Sequence, residues 1–98
     1  MDQPVRQVIN LLKSGSGIFE AAHSSSFFCY RHMADGSDRP LEVRILDRGE
    51  QFDGNRYIVS AELLHESTKR PVGKGCGGNG GQTIEEAIAV VHWNELDN

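Results

Sequence analysis

Beyond Lys74 the chain carries no lysine and no arginine, although Glu85, Glu86, Glu95 and Asp97 all lie in that last quarter. A nucleic-acid binder gains most of its affinity by neutralising phosphates, so an end without cations disfavours that class of partner. Cysteine is scarce as well: Cys29 and Cys76 are the only two, far apart and without CxxC spacing. That argues against a disulfide framework and predicts reduced thiols. No apolar run approaches the ~20 residues that span a bilayer. Met1-Asp2-Gln3-Pro4 has neither the basic nor the apolar region of a secretory signal. Together these absences predict a cytoplasmic protein with no membrane partner. His23, Cys29, His32, His65, Cys76 and His92 never fall into CxxC, HxxxH or HxH spacing, so neither a metal nor any other cofactor is expected.

What is present is ordinary globular material. At 98 residues the chain reads as a single domain, residues 1–98, that buries roughly two-thirds of the surface its unfolded form exposes. With 38% hydrophobic and 24% charged residues it is neither a disordered tail nor a fibrous repeat. The net charge of −4 is uneven: residues 1–49 hold six acidic and six basic side chains, and residues 50–98 hold eight and four. The acidic excess therefore belongs to the C-terminal half.

The first periodic segment is residues 2–13, where Val5, Val8, Ile9 and Leu12 recur at i, i+3, i+4 and i+7, the spacing of one helix face. Asp2 is placed to cap this helix and Pro4 is tolerable in its first turn. Ser14-Gly15-Ser16-Gly17 ends it. Ile18 to Ser26 fits either a short helix around Phe19-Glu20-Ala21-Ala22 or a loop folded onto the core. From Phe27 to Met33 aromatics dominate, Asp35-Gly36-Ser37-Asp38 has turn chemistry, and Leu41 to Asp47 alternates apolar with charged residues, which predicts a hairpin. Asp53-Gly54-Asn55 marks a second turn, where Gly and Asn accept the positive φ of a tight hairpin. The next strand puts Tyr57, Val59, Ala61 and Leu63 on one face. His65 to Arg70 is a polar loop, and Val72 to Cys76 a short fourth strand whose glycines suggest an edge or a bulge.

A glycine-rich connection then leads to a well-marked helix start. Thr83-Ile84-Glu85-Glu86 is a capping box: the Thr83 hydroxyl accepts from the Glu86 N–H, and the Glu86 carboxylate is expected to return to the N–H of Thr83. Along this final helix, at about 100° per residue, Ile84, Ala87, Ile88 and Val91 share the stripe that packs on the sheet. Ala89, Trp93 and Leu96 then fall on nearly the opposite side, with Val90 beside them. The fold expected is α+β: a three- or four-stranded antiparallel sheet with N- and C-terminal helices packed on one face.

This order of elements resembles the α-β-β-β-α layout of double-stranded-RNA-binding-like domains. That family holds phosphates with a lysine-rich start of its last helix, and the matching positions here are Gly81, Gln82, Glu85 and Glu86, so the resemblance implies the fold without the activity. The run Thr83-Ile84-Glu85-Glu86-Ala87 is similar to the ending of HicB-like antitoxins and other small bacterial and phage proteins. It implies a regulatory or inhibitor role.

Among candidate sites, Gly75-Cys76-Gly77-Gly78-Asn79-Gly80 matches GxGxxG, but too little chain follows to build the second parallel strand of a dinucleotide fold. Glu85 and Glu86 would also repel a phosphate at that helix start. The structural reading is a flexible connection. Neither thiol has a histidine beside it in sequence, and no paired carboxylates stand out, so no catalytic residue is assigned and the chain is not expected to be an enzyme. The second helix stripe, Ala89, Val90, Trp93 and Leu96, reads either as cover for the protein's own N-terminal region or as a surface for a protein partner or a second copy, tryptophan being a preferred interface anchor. The function expected is a non-catalytic interaction module. The alternatives are nucleic-acid binding through Arg31, Arg39, Arg44, Arg48, Lys69, Arg70 and Lys74, with Phe27, Phe28 and Tyr30 stacking on bases, or an acidic mimic of nucleic acid.

Overall fold

A computed structural model describes residues 5–14, 17–18 and 20–98. The expected cap at Asp2 and first-turn Pro4 lie outside them, as do Gly15, Ser16 and Phe19. Helix α1, Val5–Lys13, is followed by strands β1 (His23–His32), β2 (Asp38–Asp47), β3 (Tyr57–Leu64) and β4 (Pro71–Gly77), then helix α2 (Ile84–Ala89) and a 3-10 helix, Trp93–Asp97. The strands form one antiparallel sheet in the order β1-β2-β3-β4. The class is α+β, with four strands.

The first strand starts earlier than its aromatic run. Ser24, Ser25 and Ser26, polar residues with no strand pattern of their own, pair with Leu46, Ile45 and Arg44 because β2 offers a complete ladder down to Asp47. The hairpin closes where Met33 N–H donates to Ser37 O at 2.8 Å and Asp35 accepts from the Ser37 amide and hydroxyl. Between β2 and β3 the connection is wider than a tight turn. Arg48 N–H donates to Arg56 O, and the Arg48 guanidinium lies 4.1 Å from the centre of the Phe52 ring.

One face of the sheet holds the core. Leu41, Ala61, Leu63 and Leu96 form one buried cluster, and Val59, Ala87 and Val91 another, with Val43, Cys76 and Trp93 packed against both. Helix α2 covers β3, and the 3-10 helix covers β4. Helix α1 lies apart from that layer: Ile9, its buried residue, rests against Gly49, and Arg6 is 3.8 Å from Glu50, so α1 packs on the loop joining β2 to β3.

The capping box forms with one difference. Glu86 N–H donates to Thr83 Oγ1 at 3.1 Å, but the Glu86 carboxylate accepts from the N–H of Gln82 rather than from that of Thr83. Nor is the glycine-rich segment a loose tether. Gly80 has φ +88°, and a Cβ there would stand 2.4 Å from Tyr57 O; a Cβ on Gly78 would stand 2.6 Å from Val90 O. Only glycine lets this backbone lie so close to β3 and to the end of α2.

Candidate interaction surface

The expected long C-terminal helix stops at Ala89, and its expected second stripe goes with it. The His92 N–H donates to Gly77 O at the end of β4, and the Trp93 indole N–H donates to Ile88 O at 3.2 Å. These bonds satisfy helix-end carbonyl and sheet-end groups that a continuing helix would leave open. Leu96, only 1% exposed, is drawn into the core, and Trp93 is half-buried against both clusters of the sheet. Ala89 and Val90 remain exposed. The four side chains do not share one surface. The packing stripe is also altered: Ala87 and Val91 are buried, while Ile84 and Ile88 stay exposed.

Of the seven basic side chains of the alternative reading, Arg31, Arg44 and Lys69 are engaged with acids, as is Arg56 outside that set. Arg31 donates to both Asp97 oxygens (2.8 and 3.2 Å) and Arg56 to both Asp47 oxygens (2.7 and 3.0 Å). Arg44 donates to Glu42 and Lys69 lies 3.5 Å from Glu66. Hydrogen bonding to these guanidinium groups holds the Asp97 and Asp47 carboxyls below the usual carboxylate range. For Cys76 burial pushes the thiol up, which lowers its thiolate fraction and its reactivity. Among the described residues no group of three or more His, Cys, Asp or Glu side chains is arranged to hold a metal ion. No helix among them is long and apolar enough to cross a membrane.

Among the described residues, what the sheet leaves open is its first edge. A meander in the order β1-β2-β3-β4 has β1 and β4 as its two borders, and the two are finished differently. Strand β4 is short and begins at a proline. It contains Gly73 at φ +83° and Lys74, shifts register against β3, and has Gly77 bonded to the returning His92. These are the devices by which proteins blunt an edge. Strand β1 has none of them. Its ten residues, His-Ser-Ser-Ser-Phe-Phe-Cys-Tyr-Arg-His, contain no proline, glycine, lysine or acid, and all ten pair in unbroken register with β2.

The ladder parity shows which amides point outward. Met33–Ser37 is a hydrogen-bonded pair on the β1–β2 register, and the Tyr57–Gly81 and Arg48–Arg56 bonds carry the same alternation across the sheet. Odd-numbered residues of β1 therefore bond to β2, and the N–H and C=O of Ser24, Ser26, Phe28, Tyr30 and His32 face away from it. Phe27 (52% exposed), Phe28 (56%) and Tyr30 (54%) sit in the middle of this edge, Phe27 on the core side of the sheet and the other two on the opposite side. Phe28 and Tyr30 meet edge to face at 5.5 Å, and Glu66 accepts the Tyr30 hydroxyl at 3.2 Å, which holds the pair in place.

The sequence names these aromatics only as stacking candidates. The signal that marks them as an edge is topological: in a meander the first strand is always a border, and this one has no proline, glycine, lysine or acid, its one permanent charge being Arg31, which is paired with Asp97. Comparison with models of known protein families, with curated proteins and with solved structures finds no match in any of the three.

Proposed function

We propose that the protein is a non-catalytic interaction module that binds another protein by accepting a strand along β1, its role being that of a small regulator or inhibitor. The observation that carries this reading is the bare edge itself: outward amides beside half-exposed Phe27, Phe28 and Tyr30. In strand addition, main-chain hydrogen bonds supply affinity and alternate side chains supply selectivity, and β1 offers both. The charges around these rings favour a protein over a nucleic acid. The carboxylates of Glu42, Glu62 and Glu66 lie beside Phe28 and Tyr30, and the two neighbouring cations, Arg44 and Lys69, are already paired with Glu42 and Glu66, so a phosphate backbone laid there would have to displace a carboxylate from each.

Two measurements test the proposal together. Fluorescence polarisation with single- and double-stranded DNA and RNA is expected to show no binding at low or near-physiological salt. Immobilised protein is expected to retain a protein ligand that Phe28→Ser releases, and the amides of Ser24, Ser26, Phe28 and Tyr30 become protected from hydrogen exchange in the bound state. Salt-sensitive nucleic-acid binding, or a captured ligand indifferent to Phe28→Ser, would overturn it.

A further inference from the structure

Resting on the reading of β1 as an open edge, we infer that the strand it accepts is β1 of a second copy, paired antiparallel about a two-fold axis at Phe28 to give a continuous eight-stranded sheet. The first argument is register. The outward amides belong to Ser24, Ser26, Phe28, Tyr30 and His32, a set symmetric about Phe28. Turning a second β1 around Phe28 places Phe28 against the partner's Phe28, Ser26 against the partner's Tyr30 and Ser24 against the partner's His32. Every outward N–H and C=O then meets its complement.

Charge is the second argument. The strand holds no acid, and Arg31, its one permanent cation, faces the partner's Ser25 in this register while remaining clamped to Asp97. No like charges are brought opposite each other, the arrangement that penalises a wrong strand pair. A third argument comes from β4, whose glycine conformation, register shift and His92 contact prevent it from receiving β1. Head-to-tail growth into a filament is thereby excluded, and only the closed two-fold pairing is left. Area is the fourth. Each of the three aromatics leaves roughly 100 Å² open, half of what such a side chain can bury. Full cover of all six, together with two ten-residue strands, would amount to about 1,000–1,200 Å². That is an upper limit because edge pairing leaves both faces of the sheet open, and it places the dimer at the low end of specific interfaces. The dimer expected is therefore micromolar rather than obligate.

Sedimentation velocity across low to high micromolar concentration tests this. The wild-type mass is expected to rise from 10.8 kDa towards twice that value. Ser26→Pro removes an outward N–H without touching the β1–β2 ladder, a place where an edge strand tolerates proline, and is expected to stay at the single-chain mass. Phe28→Lys, which sets two ammonium groups against each other on the axis, provides a second variant and is expected to weaken dimerisation at least about tenfold. Cross-linking fixes the register. Phe28→Cys is expected to form an intermolecular disulfide, because opposed hydrogen-bonded residues have Cα atoms about 5.5 Å apart. Tyr30→Cys, opposite a serine, is expected not to.

A wild type that remains a monomer throughout overturns the inference, as does a dimer that survives both Ser26→Pro and Phe28→Lys, or a Tyr30→Cys that cross-links as well as Phe28→Cys. A monomeric wild type whose retention of a foreign protein still depends on Phe28 would sink the dimer alone. A monomer that retains nothing would sink the β1 reading with it.

Discussion

Replacing Leu96 by alanine separates the observed C-terminal architecture from the continuous helix that the sequence suggests. In a continuous helix Leu96 would lie on the outer stripe with Ala89, and its truncation would cost almost nothing. In the structure it is 1% exposed, enclosed by Leu41, Ala61 and Leu63 and backed by Trp93. Truncating a buried leucine costs about 2–5 kcal/mol, the value depending on how far the site collapses. Collapse is restricted here, because the next residue is pinned: Asp97 accepts from Arg31 Nη1, Arg31 Nη2 and the Ala34 amide. A cost of about 3 kcal/mol is expected, a quarter to a half of the whole stability of many domains of this size. The melting temperature should fall by about 12–24 °C. Urea denaturation reports it directly, since Trp93 is the only tryptophan and touches the same cluster. An unchanged slope with a lower midpoint is expected. A loss below about 1 kcal/mol would place Leu96 outside the core, and Ala89→Ser, at an exposed position, should shift stability by less than about 0.5 kcal/mol.

The remaining predictions concern backbone and charge. Gly80→Ala forces a side chain into φ +88° beside Tyr57 O and is expected to cost more than about 1 kcal/mol by thermal unfolding; an unchanged melting temperature would refute the close approach. Thr83→Ala removes the acceptor for the Glu86 amide and should cost about 1 kcal/mol, with Thr83→Ser restoring most of it. The folded state holds the Asp47 and Asp97 carboxyls below their unfolded value through Arg56 and Arg31. Between the folded pKa values and the unfolded value of about 3.9 the unfolded chain binds more protons, so the stability from these pairs is complete above that value and is lost as pH falls through the folded ones. Urea midpoints measured downward from pH 5 should fall below about pH 4, and Arg56→Met should flatten that fall while lowering stability at neutral pH by about 1–3 kcal/mol. In alkylation the Cys76 thiol is expected to react more slowly in the folded protein than in urea, because burial raises its pKa.

Much of the fold was legible because it is built from local signals. The alternation of Leu41 to Asp47 and of Tyr57 to Leu63, the turn at Asp35–Asp38 and the cap at Thr83 are each readable within a few residues, and each forms. What was not legible depends on contacts between distant parts. Ser24 to Ser26 have weak strand preference and become strand because β2 extends to meet them. The stop at Ala89 depends on Gly77, which no pattern along the helix reveals, and on an indole that turns back to cap Ile88. Once the helix stops, the angular relation joining Ala89, Trp93 and Leu96 no longer exists, and a group of residues read as one surface divides between core and exterior. The aromatics of β1 were visible throughout, but their meaning depends on which strands lie at the borders of the sheet.

A four-stranded meander must leave two borders, and the order of the chain determines how each can be covered. After β4 the chain still has residues with which to return, and it uses them: the segment after α2 bonds to Gly77 and the 3-10 helix packs beside it. Along the border at β1 the described residues form no further ladder, and α1 is directed elsewhere, with Ile9 against Gly49 at the join of β2 and β3. A bare hydrophobic edge is an aggregation hazard unless something limits its pairing. Here the limit is compositional. The aromatics are confined to the middle of the strand and flanked by serines on one side and Arg31 and His32 on the other, so a slip of two residues from the Phe28-centred register leaves outward amides unpaired and separates the opposed phenylalanines. On the strand-addition proposal, an edge patterned in this way would accept one strand in one register, which is what a specific binding surface requires and what an unmanaged edge does not provide.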